Sequence, residues 1–292
     1  EEALVQAAAE LNVATGGRVE AVVADVTTES GREKLLEACP APDILVNNAG
    51  GPPPGDFRDW SQDDWFDAVN ANMYSAIDMI RRCLDGMIER RFGRIVNITS
   101  VAVKMPVPNL GLSNGARAGL TGFVSGIARE PARHNVTINN LLPGFIATDR
   151  MWSVLDDGAR AGGQEPETYR AATFRRVGAG RPGDPAEFAA ACAFLLSDDA
   201  RQITGQILGV NHRDVGVKLP DLPRQQIHVP FGRQGPDIEP VGNAIPMSSL
   251  TLKAGGIGPL VVGDAAADAD AALDRRAEVT AVRGQGLDRH RR

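Results

Sequence analysis

Cysteine is scarce in this 292-residue sequence: Cys39, Cys83 and Cys192 stand far apart, are odd in number and form no CxxC pair. That spacing argues against a structural zinc site and against a secreted disulfide framework, and a reducing, cytoplasmic setting is expected. No stretch approaches the roughly 18 apolar residues that a membrane-spanning helix needs, so no membrane partner is expected. The acidic start, Glu1-Glu2, does not resemble a signal peptide, and the lack of an initiator methionine suggests a fragment. Basic residues are not in excess, at 31 Lys and Arg against 37 Asp and Glu, a formal net charge of −6. Nucleic acid is therefore not an expected partner. Three of the four histidines, His212, His228 and His290, lie in the C-terminal stretch without metal-ligand spacing, and no metal is expected. Aromatic residues make up only 5% and the tyrosines are two, Tyr74 and Tyr169. Apolar residues are plentiful at 43% with 23% charged, which suits a folded core in one large domain or two small ones.

Residues 1 to about 210 alternate short Val- and Ile-rich runs with helical periodicity, which predicts βαβ units on a parallel sheet covered on both faces. Strands are expected at 19–26, 43–46, 93–98 and 136–142. Helices are expected at 3–11, 28–39, 63–91 and 116–130, the last closed by Pro131 immediately after it, and at 185–197. Residues 148–185 lose the alternation and read as a mobile insertion. Beyond 210 the pattern changes: residues 211–292 contain a single aromatic, Phe231, and read as an irregular tail. In that tail 259–262 suits a strand and 265–279 a solvated helix, neither with an evident partner.

Polar and small residues collect where the expected strands end. Asn47-Asn48-Ala49-Gly50 follows the second strand, Asn97-Ile98-Thr99-Ser100 ends the third, and Pro143-Gly144-Phe145-Ile146-Ala147-Thr148 ends the fourth. The carboxyl edge of a parallel sheet is where α/β proteins bind ligands. Together with Asp25-Val26 after the first strand and Asn72 in the long helix, this ordered series resembles the short-chain dehydrogenase/reductase family over residues 1 to about 206. The resemblance implies a Rossmann-like, doubly wound α/β fold and an oxidoreductase that uses NAD or NADP to interconvert an alcohol and a carbonyl, including 3-oxoacyl substrates. It further implies that Asp25 and Val26 meet the adenine, that Asn48, Ala49 and Gly50 line the ribose, and that Pro143, Gly144, Ile146 and Thr148 hold the nicotinamide carboxamide. Ser100 would bond the substrate carbonyl oxygen, and Asn72 would support a proton relay through water. Relatives form homodimers or homotetramers through long helices, which places the expected contacts at 63–91 and 114–130.

The sequence departs from the family in three places. The catalytic Tyr and Lys, four residues apart, correspond to Ser113 and Arg117. A serine hydroxyl is a far weaker acid than a tyrosine of ordinary pKa about 10, whereas Arg117 still offers a fixed charge and a two-pronged donor. No Gly-rich turn precedes the first visible strand, so the sheet is expected to lack the family's first two strands, which lie between the strands at 19–26 and 43–46. Backbone groups would then lack partners and the chain would be poorly stable alone. After Ile203-Thr204-Gly205-Gln206 the ending resembles no known pattern, consistent with a frame change or foreign segment near 207. Two alternatives to an active enzyme therefore stand: a non-catalytic homologue that binds nucleotide or a partner subunit, and an inactive truncated gene product.

More ordinary roles exist for single residues. Asp25 would serve as a helix cap, Ser100 as a partner of local backbone, and Asn72 as a helix-kink residue. Ser113 and Arg117 would be a helix N-cap and a solvated cation. The series Arg160, Arg170, Arg175, Arg176 and Arg181 either attracts an anionic acyl substrate or forms a solvated face.

Overall fold

The computed structural model describes residues 2–211 and the backbone of two further strands. In chain order the elements are α1 (Glu2–Thr15), β1 (Arg18–Val22), α2 (Glu29–Ala38), β2 (Ile44–Asn47), α3 (Gln62–Val69), a π-helical turn (Asn70–Tyr74) and α4 (Ser75–Arg90). There follow β3 (Gly93–Ile98), α5 (Gly111–Ile127), α6 (Arg129–Ala132), β4 (Val136–Pro143), α7 (Asp149–Ala161) and α8 (Pro166–Phe174). The last are α9 (Pro185–Leu196), β5 (Ile207–Val210), β6 (Val261–Gly263) and β7 (Val279–Arg283).

Strands β2, β3, β4 and β5 form a parallel sheet in that order, with Asn47 opposite Asn97 and Asn97 opposite Asn140. Both faces are covered, as the continuous apolar runs predict. Leu45, Ile95 and Ile138 pack with Ile80, Met87 and Val124 of α4 and α5, while Val96 and Leu141 pack with Leu195 of α9. Helix α4 carries Ala76, Met79, Ile80, Cys83 and Met87 at helical spacing, which explains the buried stripe. Helix starts follow local chemistry: Ser61 and Asp64 form a capping box on α3, Asp184 and Glu187 another on α9, and Thr28 accepts from Gly31 N–H on α2. Arg94 is wholly buried at the start of β3, where it bonds the carbonyl of Asn135 at 2.8 Å and pairs with Asp198 at 3.1 Å.

Four expectations are corrected. The first strand stops at Val22, because Asp25 turns the chain: its Oδ1 accepts from the N–H and hydroxyl of Thr27 at 2.9 and 2.7 Å. The single helix over 63–91 is interrupted by the π turn. The helix expected over 116–130 begins at Gly111, and Pro131 sits inside the short α6 rather than after the helix, where a proline is tolerated in a first turn. The stretch 148–185 is no loose insertion: α7 buries Leu155 and Ala159, Val177 is buried just after α8, and Phe174 of α8 meets Phe145 and Trp152 edge-on.

Strand β1 does not pair with β2. It runs antiparallel to β7, with Val19 opposite Val282, and β7 runs antiparallel to β6, which lies beside β2. Two tail strands thus stand where the sequence predicts a gap, and the segment expected to be without partners supplies one for β1. The strand expected at 259–262 is found as β6, whereas residues 265–278 of the expected tail helix lie outside the described residues.

Candidate active site

The register of the parallel sheet sets the three strand ends side by side. Asn47 donates from Nδ2 to Asn97 Oδ1 at 2.8 Å, and Asn97 donates in turn to Asn140 Oδ1 at 3.4 Å, so a row of amides, half-buried at Asn47 and buried at Asn97 and Asn140, crosses β2, β3 and β4 at or shortly before their tips. A slip of one residue would turn this row to the other face. Beyond it the chain presents Asn48-Ala49-Gly50, Thr99-Ser100 and Gly144 on one edge. The condition on which the sequence reading rests, that these tips share a side of the molecule, is met.

Arg117 ties two of the tips together. Reaching from α5, its Nη1 donates to the carbonyls of Ile98 and Thr99 at 3.0 and 2.8 Å, its Nη2 to that of Ala49 at 3.2 Å, and its Nε to Ser113 Oγ at 3.2 Å. Both Ser113 and Arg117 are buried, which overturns the reading of a helix N-cap and a solvated cation; the N-cap of α5 is Leu110. Burial, and then the nearby charge of Arg150, push the Arg117 guanidinium down to about 10, still a cation at neutral pH.

One cavity is lined by Val26, Asn48, Ala49, Asn72, Ile98 and Arg117, so the structure brings together residues from five segments. Asn72 sits in the π turn, 5% exposed, and its Oδ1 has no hydrogen-bond partner; the Thr99 hydroxyl is in the same position. A π turn is frequent at functional sites because it re-aims one side chain. Ser100 Oγ accepts from the Ala102 N–H at 3.1 Å, an engagement that leaves its O–H proton available to a ligand. Asp25 is not in this cavity; it lines a separate hollow with Thr28, Gly31 and Lys34. Pro143, Gly144, Ile146 and Thr148 also lie outside the cavity walls. Gly144 donates to the Val210 carbonyl at 2.9 Å, Ile146 bridges to Gly183, and Thr148 caps α7 by accepting from Met151 N–H at 3.3 Å. Neither tyrosine enters the cavity: Tyr74 is 49% exposed beside Arg32, and Tyr169 lies against Gly158 of α7.

The arginine series on α7, α8 and the following turn is mostly neutralised. Arg160 pairs with Asp157, Arg170 with Asp156, and Arg181 with Glu187, so the solvated-face reading holds for these three. Sequence reasoning missed Arg150 and Gly51, which come together beside the tip of Arg117, itself a wall of the cavity. The available signal was a cation two residues past Thr148 at a strand end.

The residues fit a nicotinamide dinucleotide. At Gly50 an added Cβ would meet nothing within 4 Å, which leaves the open approach a cofactor needs, and the orphaned Asn72 oxygen offers an acceptor inside the cleft.

A parallel sheet covered on both faces, with polar groups at the strand tips, defines a protein of the Rossmann-type nucleotide-binding class. The chain belongs to the short-chain dehydrogenase/reductase family: residues 1–214 match the family described as enoyl-(acyl carrier protein) reductase. It is 41% identical over 192 residues to the 3-oxoacyl-[acyl-carrier-protein] reductase FabG of Vibrio harveyi, covering 65% of this chain and 73% of that protein. The corresponding reductase of Haemophilus influenzae is 38% identical over 200 residues, 67% of this chain and 78% of that protein. Among solved structures, a single-residue variant of actinorhodin polyketide ketoreductase with NADPH superposes with a TM-score of 0.66 at 30% identity, over 72% of this chain and 82% of that one. The L-sorbose reductase of Gluconobacter frateurii, complexed with NADPH and L-sorbose, gives 0.69 at 25% identity over 74% and 84%.

Proposed function

We propose that the cleft at the tips of β2, β3 and β4 carries out NAD(P)-dependent reduction of a 3-oxoacyl-type carbonyl. The observation that carries this reading is the in-register convergence of the three tips, two of them fastened by Arg117. Val26, Asn48, Ala49 and Gly50 would hold the adenosine half of the dinucleotide, with Asp25 fixing the turn that places Val26. Pro143, Gly144, Ile146 and Thr148 would flank the carboxamide. The cofactor, when bound, supplies the hydride. Ser100 donates its hydroxyl proton in a hydrogen bond to the substrate oxygen. Arg117 stabilises negative charge that develops there, which a fixed buried cation does without reorganising. Ser113, its oxygen held by Arg117 Nε, would pass its hydroxyl proton to the alkoxide oxygen left when the carbonyl carbon gains hydride, and would take one back from solvent through a water that Asn72 Oδ1 would hold.

Titration of the chain with NADH and NADPH, followed by nicotinamide fluorescence, is expected to give saturable binding. Ser100→Ala is expected to lower ketone reduction by about 10²-fold while leaving that binding within twofold, the scale of one lost donor to a developing oxyanion. No binding of either nucleotide would overturn the reading.

A second reading, a homologue that binds nucleotide without turnover, is favoured by one observation: both tyrosines lie away from the cavity. Nucleotide binding with no ketone reduction above a Ser100→Ala background would support it. We also propose self-association through α3, α4 and α5. Phe66 is 62% exposed, and Gly122 and Gly126 leave open space on α5 for another backbone. Sedimentation at several concentrations is expected to show dimers or tetramers.

A further inference from the structure

Three arginines are buried among the described residues, and their charges are treated differently. Arg32 pairs with Asp78 at 2.7 Å and Arg94 with Asp198 at 3.1 Å. Arg117 pairs with no carboxylate among the described residues; its four hydrogen bonds go to three carbonyls and one hydroxyl, all neutral. A guanidinium has five N–H groups, so one on Nη2 remains for another acceptor. A second cation stands beside it. The terminal nitrogens of Arg150 and Arg117 lie 3.3 and 3.8 Å from where a Cβ on Gly51 would stand, so the absence of a side chain there lets two like charges close on the same point of backbone. Arg150 also forms no ion pair among the described residues and is exposed at the first turn of α7. Like charges brought together, one of them removed from water, are unfavourable unless an anion completes the set.

We infer that Arg117 and Arg150, whose tips meet over Gly51, form an anion site for a carboxylate carried by the substrate, so that the preferred substrate is an oxo acid rather than a neutral ketone. This rests on the reading of the cleft as a carbonyl-reduction site, and it gives that site a specificity. Arg150 would act as the exposed arm and Arg117 as the buried one, which fits a charged end group entering last. The dinucleotide phosphates are a competing source of the same chemistry, and the test separates them.

The test uses the full chain with acetoacetate, its uncharged methyl ester and NADPH as probes, each titrated by calorimetry, the two carbonyl probes with and without NADPH. Acetoacetate is expected to bind about tenfold or more tighter than the ester, the value of one or two charge-assisted hydrogen bonds. Arg150→Ala lies on an exposed turn and keeps the fold; it is expected to erase that difference and leave NADPH affinity within twofold. Arg150→Lys is expected to retain part of the preference. Equal binding of acid and ester by the unaltered chain would overturn the inference, as would a loss in Arg150→Ala that falls on NADPH instead of the acid. Failure of NADPH to bind at all would count against the proposed function, whereas the acid-to-ester ratio without NADPH reads the anion site alone.

Discussion

Arg117 has two jobs at residue scale, and they separate on substitution. As a brace it satisfies the carbonyls of Ala49, Ile98 and Thr99, and Arg117→Met would leave those acceptors without a partner in a buried place. The expected loss is about 1–3 kcal/mol in urea unfolding, set by desolvated acceptors and partly offset by removing a buried charge. Arg117→Lys keeps the charge but presents a single compact ammonium, so it is expected to recover less than half of that loss. A result in which Lys restores full stability would show that charge, not the planar fork, ties the strand tips. The position of Arg117 was legible from its register with Ser113, four residues earlier on the same helix. Its burial was not, because periodicity on a Gly- and Ala-rich helix leaves the long side chain's direction open until β2 and β3 are in place. Asn72 shows the reverse: the sequence offered a relay or a kink, and the π turn makes the residue part of the distorted turn while leaving its oxygen unpartnered.

Between elements, the joint of α2 with α4 is the most exposed to test. Asp78, 2% exposed, takes hydrogen bonds from Arg32, Arg81 and Arg82 at 2.7–2.9 Å. Burial alone would raise its pKa, but the bonds from Arg82, Arg81 and Arg32 outweigh it and lower the value from 3.8 to about 2. A carboxylate held below its unfolded value contributes stability that is full above about pH 4 and is lost as pH falls through about 2, in all about 2 kcal/mol. Asp78→Asn strands Arg32 without its counter-charge and is expected to cost about 3–5 kcal/mol near neutrality, with a flatter acid limb in a pH series of denaturant midpoints. Glycines on the same elements give a contrast. A Cβ at Gly31 would stand 1.9 Å from the Asp25 backbone oxygen, whereas one at Gly119 would meet only the flexible end of Met73 at 2.7 Å. Gly31→Ala is therefore expected to abolish cooperative unfolding or cost upward of about 3 kcal/mol, and Gly119→Ala to cost about 1 kcal/mol. Helix caps are local, since Ser61, Thr28 and Asp184 act within three residues of themselves. The helices α7 and α8 were not legible in the sequence, since their order comes from Phe145, Trp152 and Phe174 meeting across some thirty residues of chain.

At the scale of the whole molecule the sheet is divided, and the division decides where the chain is weakest. That β2, β3 and β4 are parallel strands was legible from their doubly buried runs, whereas their order, and β5 beside β4, come from the structure. The placement of β1 was not, because its partner lies about 260 residues away in a stretch with no helix and strand alternation. An isolated β1 would expose a row of backbone donors and acceptors on both edges, and each buried unsatisfied group costs on the order of 1–3 kcal/mol. With β7 alongside, every residue of β1 from Arg18 to Val22 faces a partner, and β6 carries the pairing on toward β2. Removing residues 212–292 is accordingly expected to strip amide protection from β1 while leaving Leu45, Ile95 and Ile138 protected, as the four parallel strands do not depend on the tail for their ladder. Hydrogen exchange read by mass spectrometry on peptides covering 18–22 and 93–98 measures both in one experiment. Unchanged protection of 18–22 in the shortened chain would mean that β7 is not what holds β1. Equal loss in both peptides would mean that the two sheets fold as one unit, so that the tail supports the cleft as well as the edge.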